Sequence, residues 1–429
     1  MSLARAPARL EAETATGADR AAAGWRRADI GFAVFVIFIS SNAFTALGLH
    51  AILWAAAYAY ALARILMLPQ VIIALIRANW IFLAYPAACA ISLLWSPDPA
   101  ATLRFSAQLV ASTAIAFVIG RSCPPALLCR LVVAVLVLLA IASLINLDGS
   151  VLRAYDHRGN FVGIFESKNA LGHRAVMLTL SATALVLFMP AHLRWRGVAA
   201  LGLAATLVLI SRAGSATAVL LCALTALLAP ALYLTQRHPA ARAALPAMVP
   251  ILAGTALAGL VVAGIDPLTA LLEALNRDAT LTGRTLMWAF GVEAWMNRPL
   301  LGHAALGIWN DPAFANRILA VQAHYGAGVV GFHNLTLELL VMLGPLGLLL
   351  HSAALVTAMA RSARLWRSGR AGAGPGAWAL TLLIALVVMA QFGPQLHNPH
   401  GIPWILVTAL AVAIGPRAAA APRARRTAP

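Results

Sequence analysis

A histidine and an asparagine stand side by side at the polar start of a long apolar run: His333 and Asn334, in GFHNLTLELLVMLGPLGLLL (residues 331–350). A neutral imidazole titrates near pH 7 and is the usual general base for a hydroxyl group. Asn334 is suited to orient the imidazole or to hold that hydroxyl. A histidine that only caps the helix is the structural alternative. Helix spacing places Glu338 off the face of His333, so the pair itself is the candidate for acid–base chemistry.

Basic residues that suit a phosphate group recur in three short segments. They are GIFESKNALGHRAVM (163–177) with Lys168, Asn169 and Arg174, LISRAGSATA (209–218) with Arg212, and LTGRTLMWAF (281–290) with Arg284. Arginine presents a fixed fork of donors that matches phosphate oxygens in pairs. Lys168 and Asn169 stand at the start of a predicted helix, where the helix dipole favours an anion. The alternative for each arginine is solvation or pairing with an acidic residue.

Several common chemistries have no motif in this chain. It contains no P-loop, no G-x-G-x-x-G, no H-E-x-x-H and no D-x-D pair, so we expect neither a nucleotide site nor a metal site, and no cofactor. Four cysteines lack the C-x-x-C spacing of a zinc or redox site: Cys89, Cys123, Cys129 and Cys222. Four other histidines are interpreted as loop residues, with a metal site as the weaker alternative: His303, His324, His397 and His400. The motifs present and missing in this chain therefore favour a transfer reaction whose donor substrate is already activated, without nucleotide or metal.

The amino-acid composition indicates which kind of secondary structure holds these residues in place. The chain has 429 residues, of which 62% are hydrophobic and 10% charged, and its mean hydropathy is +0.85; soluble chains are about 45–50% apolar and about 25% charged. These values exclude a soluble enzyme, a disordered chain and a nucleic-acid-binding module. A spanning helix needs roughly 20 apolar residues, which predicts an all-α, polytopic membrane protein with about twelve transmembrane helices. The predicted spans are 30–48, 51–68, 74–94, 105–120, 126–147, 170–189, 198–210, 216–234, 247–264, 337–359, 377–392 and 402–415.

The arginine distribution predicts the orientation. Arginines cluster in the two tails and in the loops after even-numbered spans, as the positive-inside bias requires of a cytoplasmic face. The formal charge of +17 therefore marks topology and does not indicate a polyanion partner. The predicted organisation is a cytoplasmic tail (1–29), a transmembrane domain (30–416) and a basic cytoplasmic tail (417–429). Membrane lipids are the expected surroundings, and no nucleic acid is expected.

Two long segments fall on the extracytoplasmic side, 148–169 and 265–336. The second is a large periplasmic loop between spans nine and ten. Within it, residues 285–296 place Trp288 and Trp295 on one helical face. Either a helix in the outer headgroup layer or a packing helix beneath the loop explains this pattern equally well.

The polar stretches, taken together and in order, resemble the O-antigen ligase and polysaccharide polymerase superfamily of bacterial inner membranes. The matching segments are KNALG (168–172), SRA (211–213), GRTLMW (283–288) followed by RPLLGHAALGIW (298–309), and HNLTLELLVMLG (333–344). They cover about 163–350, whereas the five N-terminal spans match only in character. Two departures concern substrate identity: His303 and Ala304 stand where glycine is common, and Glu166 stands where a small or basic residue is usual.

The resemblance implies an enzyme that transfers a glycan from undecaprenyl pyrophosphate to an acceptor hydroxyl on the periplasmic side of the inner membrane. In the ligases the acceptor is the lipid A-core sugar of lipopolysaccharide, and in the polymerases it is a growing glycan. By the same resemblance, Arg212 and Arg284 hold the donor pyrophosphate, Lys168 adds charge, and His333 takes the acceptor proton or places the hydroxyl. A lipid-linked glycan transporter is the alternative from another class. Only Arg130 lies well inside a predicted span, which weighs against transport.

Overall fold

The computed structural model describes residues 17–156, 159–237, 284–325, 331–391, 393 and 396–416. These residues form an α-helical bundle without β-strands; two isolated β-bridges, Ala43 to Phe165 and Tyr155 to Phe161, fasten loops. The helices are α1 Gly17–Ile39, α2 His50–Met67, α3 Pro69–Ala78, α4 Ile81–Ile91, α5 Pro99–Ser122, α6 Pro125–Ile145, α7 Lys168–Leu187, α8 Leu193–Ala213, α9 Ala216–Arg237, α10 Arg284–Asn297, α11 Ala315–Tyr325, α12 Leu335–Arg367, α13 Arg370–Ala390 and α14 Ile402–Ile414.

Eight helices in this part of the chain are long and apolar enough to cross a membrane: α2, α5, α6, α7, α8, α9, α12 and α13. A bent pair formed by Pro69–Ala78 and Ile81–Trp95 raises the number to nine, and α14 is a shorter apolar helix. The all-α, multi-pass membrane architecture is therefore confirmed. The ninth predicted span, 247–264, lies outside the described residues, and the count of twelve stays a prediction.

The third predicted span, 74–94, is broken in the structure at Asn79, where α3 and α4 meet at an angle of 92°. The Asn79 side chain donates to the carbonyl of Leu75 at 2.8 Å. Arg361 of α12 donates to the Asn79 side chain and to the carbonyl of Ala78. In a continuing helix the carbonyl of Ala78 would accept a hydrogen bond from a backbone amide. Arg361 donates to this carbonyl instead, so it stabilises the end of α3. No sequence pattern indicates this contact, because Arg361 is remote in the chain.

One end of the bundle carries most of the arginines, and we call it the arginine-rich end. Arg64 ends α2, Arg121 ends α5, and Arg194 and Arg196 begin α8. Arg361 of α12 lies at the same end and donates to the carbonyl of Ala411 in α14 at 2.7 Å. The positive-inside bias predicts that this end faces the cytoplasm.

Four of the helices that begin at the opposite end start close to one another. They are α2 at His50, α7 at Lys168, α12 at Leu335 and α14 at Ile402. The side chain of Ser167 accepts from Ala170 N at 3.2 Å, and that of Asn334 accepts from Leu337 N at 3.1 Å. Both are N-caps that satisfy a backbone donor and fix where the helix starts.

Helix α10 packs against the first turns of α12 in a second, smaller core. Met287 and Phe290 of α10 are buried with Phe332 and Leu337. The indole of Trp288 donates to the carbonyl of Phe332 at 3.1 Å. The structure thus favours the packing helix over the helix in the headgroup layer, and it places α10 directly behind the loop that carries His333.

A kink divides α12 at Gly344 and Pro345. Gly344 has φ 62° and ψ −158°, a region that is essentially restricted to glycine. The loop after α10 approaches α12 here, and the His303 amide donates to the carbonyl of Val341 at 2.8 Å. The kink therefore gives the first half of α12 a fixed position relative to the loop.

Candidate functional site

A polar cavity of about 320 Å³ lies at the end of the bundle away from the arginine-rich end. Its size falls at the lower end of the range for small-molecule sites. The lining residues are Asn42, His50, Glu166, Ser167, Asn169, His173, Arg174, His333, Gly393, Asn398, Pro399, His400, Gly401 and Pro403. Most of these side chains are polar.

Helix starts surround the cavity. His50 begins α2, Ser167 is the N-cap of α7, and Gly401 is the N-cap of α14. His333 directly precedes Asn334, the N-cap of α12. The starts of four helices bring partial positive charge to one place. This arrangement favours an anionic group in the cavity.

Helix α7 supplies three of the lining side chains. Asn169 and His173 are four residues apart and share a helix face. Arg174 is 5% exposed, and its Nε donates to the carbonyl of Ser41 at 3.0 Å. That contact anchors the guanidinium, so a fixed positive charge stands at the cavity wall. Glu166, which is exposed, lines the same cavity and interacts electrostatically with Arg174.

The backbone around His333 is held by a buried carboxyl group. Glu338 is 2% exposed and accepts hydrogen bonds from the backbone amides of Phe332 and His333. The helical spacing between His333 and Glu338 did not indicate this contact, because the side chain of Glu338 reaches back to the backbone before the helix. Glu338 thus fixes the loop from which the imidazole of His333 enters the cavity.

Three lining residues have left-handed backbone conformations. The φ angles are 52° for Asn42, 53° for His333 and 65° for His400. Such conformations are uncommon for residues other than glycine, although Asn and His tolerate them best. Strained residues cluster at functional sites because the surrounding structure must hold them there. Their concentration around one cavity distinguishes it from an ordinary packing gap.

An aromatic group forms the wall beside His400. The ring of His400 stacks on Trp54 with centroids 4.0 Å apart, and its Nε2 is hydrogen-bonded to the hydroxyl of Tyr58. The Trp54 indole donates to Nε2 of His50 at 3.3 Å. Burial lowers the pKa of His400, in the loop between α13 and α14, to about 4. His400 is therefore neutral at pH 7 and offers the cavity a hydrogen-bonding group without charge.

The structure brings together three of the seven residues that the sequence singled out. Asn169, Arg174 and His333 line the cavity. Lys168 begins α7 next to them, and its Nζ donates to Oδ1 of Asn160 at 3.0 Å. Asn334 acts as the N-cap of α12, so the capping role, considered for His333, belongs to its neighbour.

Of the two other predicted arginines, Arg212 lies away from the cavity and Arg284 is only partly described. Arg212 is exposed in the last turn of α8 and is not among the residues that line the cavity. The sequence placed it in a turn between spans, whereas the turn is formed by Gly214, which ends α8 with φ 58°. Arg284 is the first residue of α10, and its side chain lies outside the described part of the structure.

Sequence reasoning missed several lining residues. His173 carried a usable signal, because it lies four residues after Asn169 on a predicted helix. Asn42, His50 and His400 carried none, since only the tertiary fold brings these distant segments together. Among the described residues, no group of three His, Cys, Asp or Glu side chains is placed to hold a metal ion.

His303 has a structural role in the loop after α10. It is fully buried, its Nδ1 lies 3.3 Å from Oδ2 of Asp311, and its Nε2 lies 2.9 Å from the carbonyl oxygen of Ala294. The ring therefore ties the loop to the end of α10. His397 is also buried, and burial lowers its pKa to about 3.

Two comparisons with known proteins agree with this description. Residues 199–352 match the family model described as O-antigen ligase. The chain is 30% identical over 289 residues to the "Exopolysaccharide production protein ExoQ" of Rhizobium meliloti (strain 1021), which covers 65% of this chain and 64% of that protein. The family match includes α10 and the first half of α12, the elements that fix His333. Both matches support the resemblance of this chain to the O-antigen ligase and polysaccharide polymerase superfamily.

Proposed function

We propose that this protein transfers a glycan from undecaprenyl pyrophosphate to an acceptor hydroxyl, and that the polar cavity at the periplasmic end of the bundle is the active site. The observation that carries the proposal is the meeting of His333, Arg174 and four helix starts in one cavity. A base and an anion site side by side are what this reaction needs. The family match and the curated relative support a ligase or polymerase type of chemistry.

The pyrophosphate of the donor binds where the helix starts and Arg174 supply positive charge. Arg174 is buried and anchored, so little reorganisation is needed when the charge of the leaving group grows. Lys168 and Asn169 lie at the same mouth. Arg212 and Arg284 are proposed to approach the pyrophosphate from α8 and α10 when donor is bound.

His333 acts on the acceptor. Its imidazole takes the hydroxyl proton while the oxygen forms a bond to the anomeric carbon of the donor sugar. The bond between that carbon and the pyrophosphate oxygen breaks, and its electron pair leaves with undecaprenyl pyrophosphate. The donor is already activated, so the step needs no nucleotide. His50 and the neutral His400 are suited to hydrogen-bond sugar hydroxyls on the facing wall.

Two acceptor substrates are compatible with this transfer reaction: a lipid A-core sugar and a growing glycan. The relative is named for exopolysaccharide production, which favours the growing glycan and hence a polymerase. The ligase is the second candidate, because the family model is described as O-antigen ligase. A transporter for lipid-linked glycan would use the same cavity for binding without bond cleavage.

The test is turnover by the full chain in liposomes that contain lipid-linked repeat units, without ATP or nucleotide sugar. We expect free undecaprenyl pyrophosphate to appear together with longer glycan on the remaining carrier. If glycan instead passes to added lipid A-core, the protein is a ligase. If glycan crosses the bilayer with its carrier bond intact, the transferase proposal is wrong.

A further inference from the structure

A second, larger cavity of about 840 Å³ opens at the arginine-rich end, far from His333. Its charged wall comes from Arg26 and Asp29 of α1, Arg64 of α2 and Arg121 of α5. The glycan-transfer proposal makes no use of it. Both the charges and the shape of this cavity indicate what it binds.

One carboxylate organises the charged wall. Asp29 is fully buried and accepts from Arg64 Nε at 2.8 Å, from Tyr60 at 2.8 Å and from Ser122 at 2.7 Å. This pairing uses the negative charge of Asp29 to compensate the buried Arg64. Arg121, 34% exposed, lies 3.7 Å from the same carboxylate. The cavity therefore carries an excess of two positive charges, contributed at its mouth by Arg26 and Arg121.

The facing wall is apolar. Leu68 precedes α3, and Val71 and Leu75 lie on it; all three line the cavity, together with Val412 of α14. The axis of α3 is bent by 92° from that of α4, an orientation that suits a helix in the membrane interface if α4 crosses the bilayer. A soluble phosphate has no apolar part that could contact such a wall, whereas a lipid acyl chain can pack against it.

The surroundings of the cavity are also suited to lipid. Leu66 and Met67 at the end of α2 are 70% and 53% exposed, and Ile73 of α3 is 48% exposed. In a membrane protein, exposed apolar side chains of this kind face acyl chains. Basic pockets between helices at the cytoplasmic side are typical sites for anionic lipid headgroups.

We propose that this cavity binds an anionic phospholipid of the cytoplasmic leaflet, with its phosphodiester between Arg26 and Arg121 and the start of an acyl chain along Val71 and Leu75. The same phosphate chemistry is available from a soluble phosphate ester. The apolar wall favours the lipid. The C-terminal tail, with Arg417, Arg423, Arg425 and Arg426 and no acidic residue, is an unsuitable occupant by charge.

The test measures lipid binding to the purified full chain in detergent by native mass spectrometry. The probes are phosphatidylglycerol, phosphatidylcholine with the same acyl chains, and glycerol 1-phosphate. The double variant Arg26→Gln/Arg121→Gln removes both mouth charges. The control Arg194→Gln/Arg196→Gln removes two exposed arginines from the same end, outside this cavity.

We expect wild type and control to bind phosphatidylglycerol in preference to phosphatidylcholine, and the mouth variant to bind it on the order of tenfold more weakly. Val71→Trp fills the apolar wall without changing charge, and it should also reduce phosphatidylglycerol binding. Equal binding by the mouth variant and the control overturns the proposal. So does glycerol 1-phosphate binding as tightly as the lipid, because the acyl chain would then contribute nothing.

Discussion

Replacing Gly344 by alanine tests how the kink of α12 positions the active-site loop. Gly344 is the last residue of the segment HNLTLELLVMLG (333–344), and its backbone has φ 62° and ψ −158°. A Cβ there would collide with the carbonyl oxygen of Leu300 and lie 2.6 Å from its carbonyl carbon. The obstacle is backbone, so no side-chain rotation relieves it.

Gly369 is a matched control for this substitution. Its φ of 94° and ψ of −171° fall in the same glycine region, but a Cβ there meets nothing within 4 Å. Alanine at either position costs on the order of 1–3 kcal/mol for the backbone conformation. At Gly344 the collision adds about 1–3 kcal/mol, the usual cost of overpacking. The difference between the two variants isolates the contact between α12 and the loop after α10.

The assay is thermal unfolding of the two purified variants in the same detergent, followed by turnover of lipid-linked glycan. We expect Gly344→Ala to unfold at least about 2 °C below Gly369→Ala. Its turnover should fall further than that of the control, because the first half of α12 carries the His333 loop. Equal melting temperatures for the two variants would refute the packing argument.

Three further predictions concern the buried charges and the topology. Glu338→Ala removes the acceptor of two buried amides, which costs about 1–3 kcal/mol per unsatisfied amide, so we expect turnover to fall while the KM for the donor stays unchanged. Glu338→Gln keeps an acceptor and should restore part of the lost turnover. Equal turnover in the two variants would count against the positioning role of Glu338. Asp29→Ala leaves Arg64 buried without its partner and should destabilise the chain by about 3–5 kcal/mol. Adding Arg64→Met should recover much of that loss in a thermal melt, and no recovery would contradict the pairing. Reporter fusions after Ser150 and after Gly369 should report opposite sides of the membrane, and the same side for both would break the assigned orientation.

The apolar runs were enough to predict the bundle and most of its helices. Helices α6 and α7 lie close to the predicted spans 126–147 and 170–189, because a long apolar segment has few alternatives to a membrane helix. The broken third span was not predictable. The break at Asn79 depends on Arg361, which folding brings from a distant helix.

The candidate site was predictable only in its local parts. Asn169, Arg174 and His333 stood out because polar groups at helix starts are visible in a sequence. The wall formed by His50 and His400 was invisible, since a ring stacked on Trp54 and bonded to Tyr58 requires α2 and the α13–α14 loop to meet. Glu338 was visible as a residue, but its bond to the backbone of His333 depends on a strained loop that no spacing rule describes.

The most direct test of the central claim is release of undecaprenyl pyrophosphate by His333→Ala in the liposome assay. The matched control is His192→Ala, an exposed histidine at the start of α8 at the arginine-rich end. Loss of a general base lowers the rate by about 10²–10⁴-fold. We expect such a loss for His333→Ala with an unchanged melting temperature, and we expect normal turnover in His192→Ala. Turnover by His333→Ala within a few-fold of wild type would contradict it.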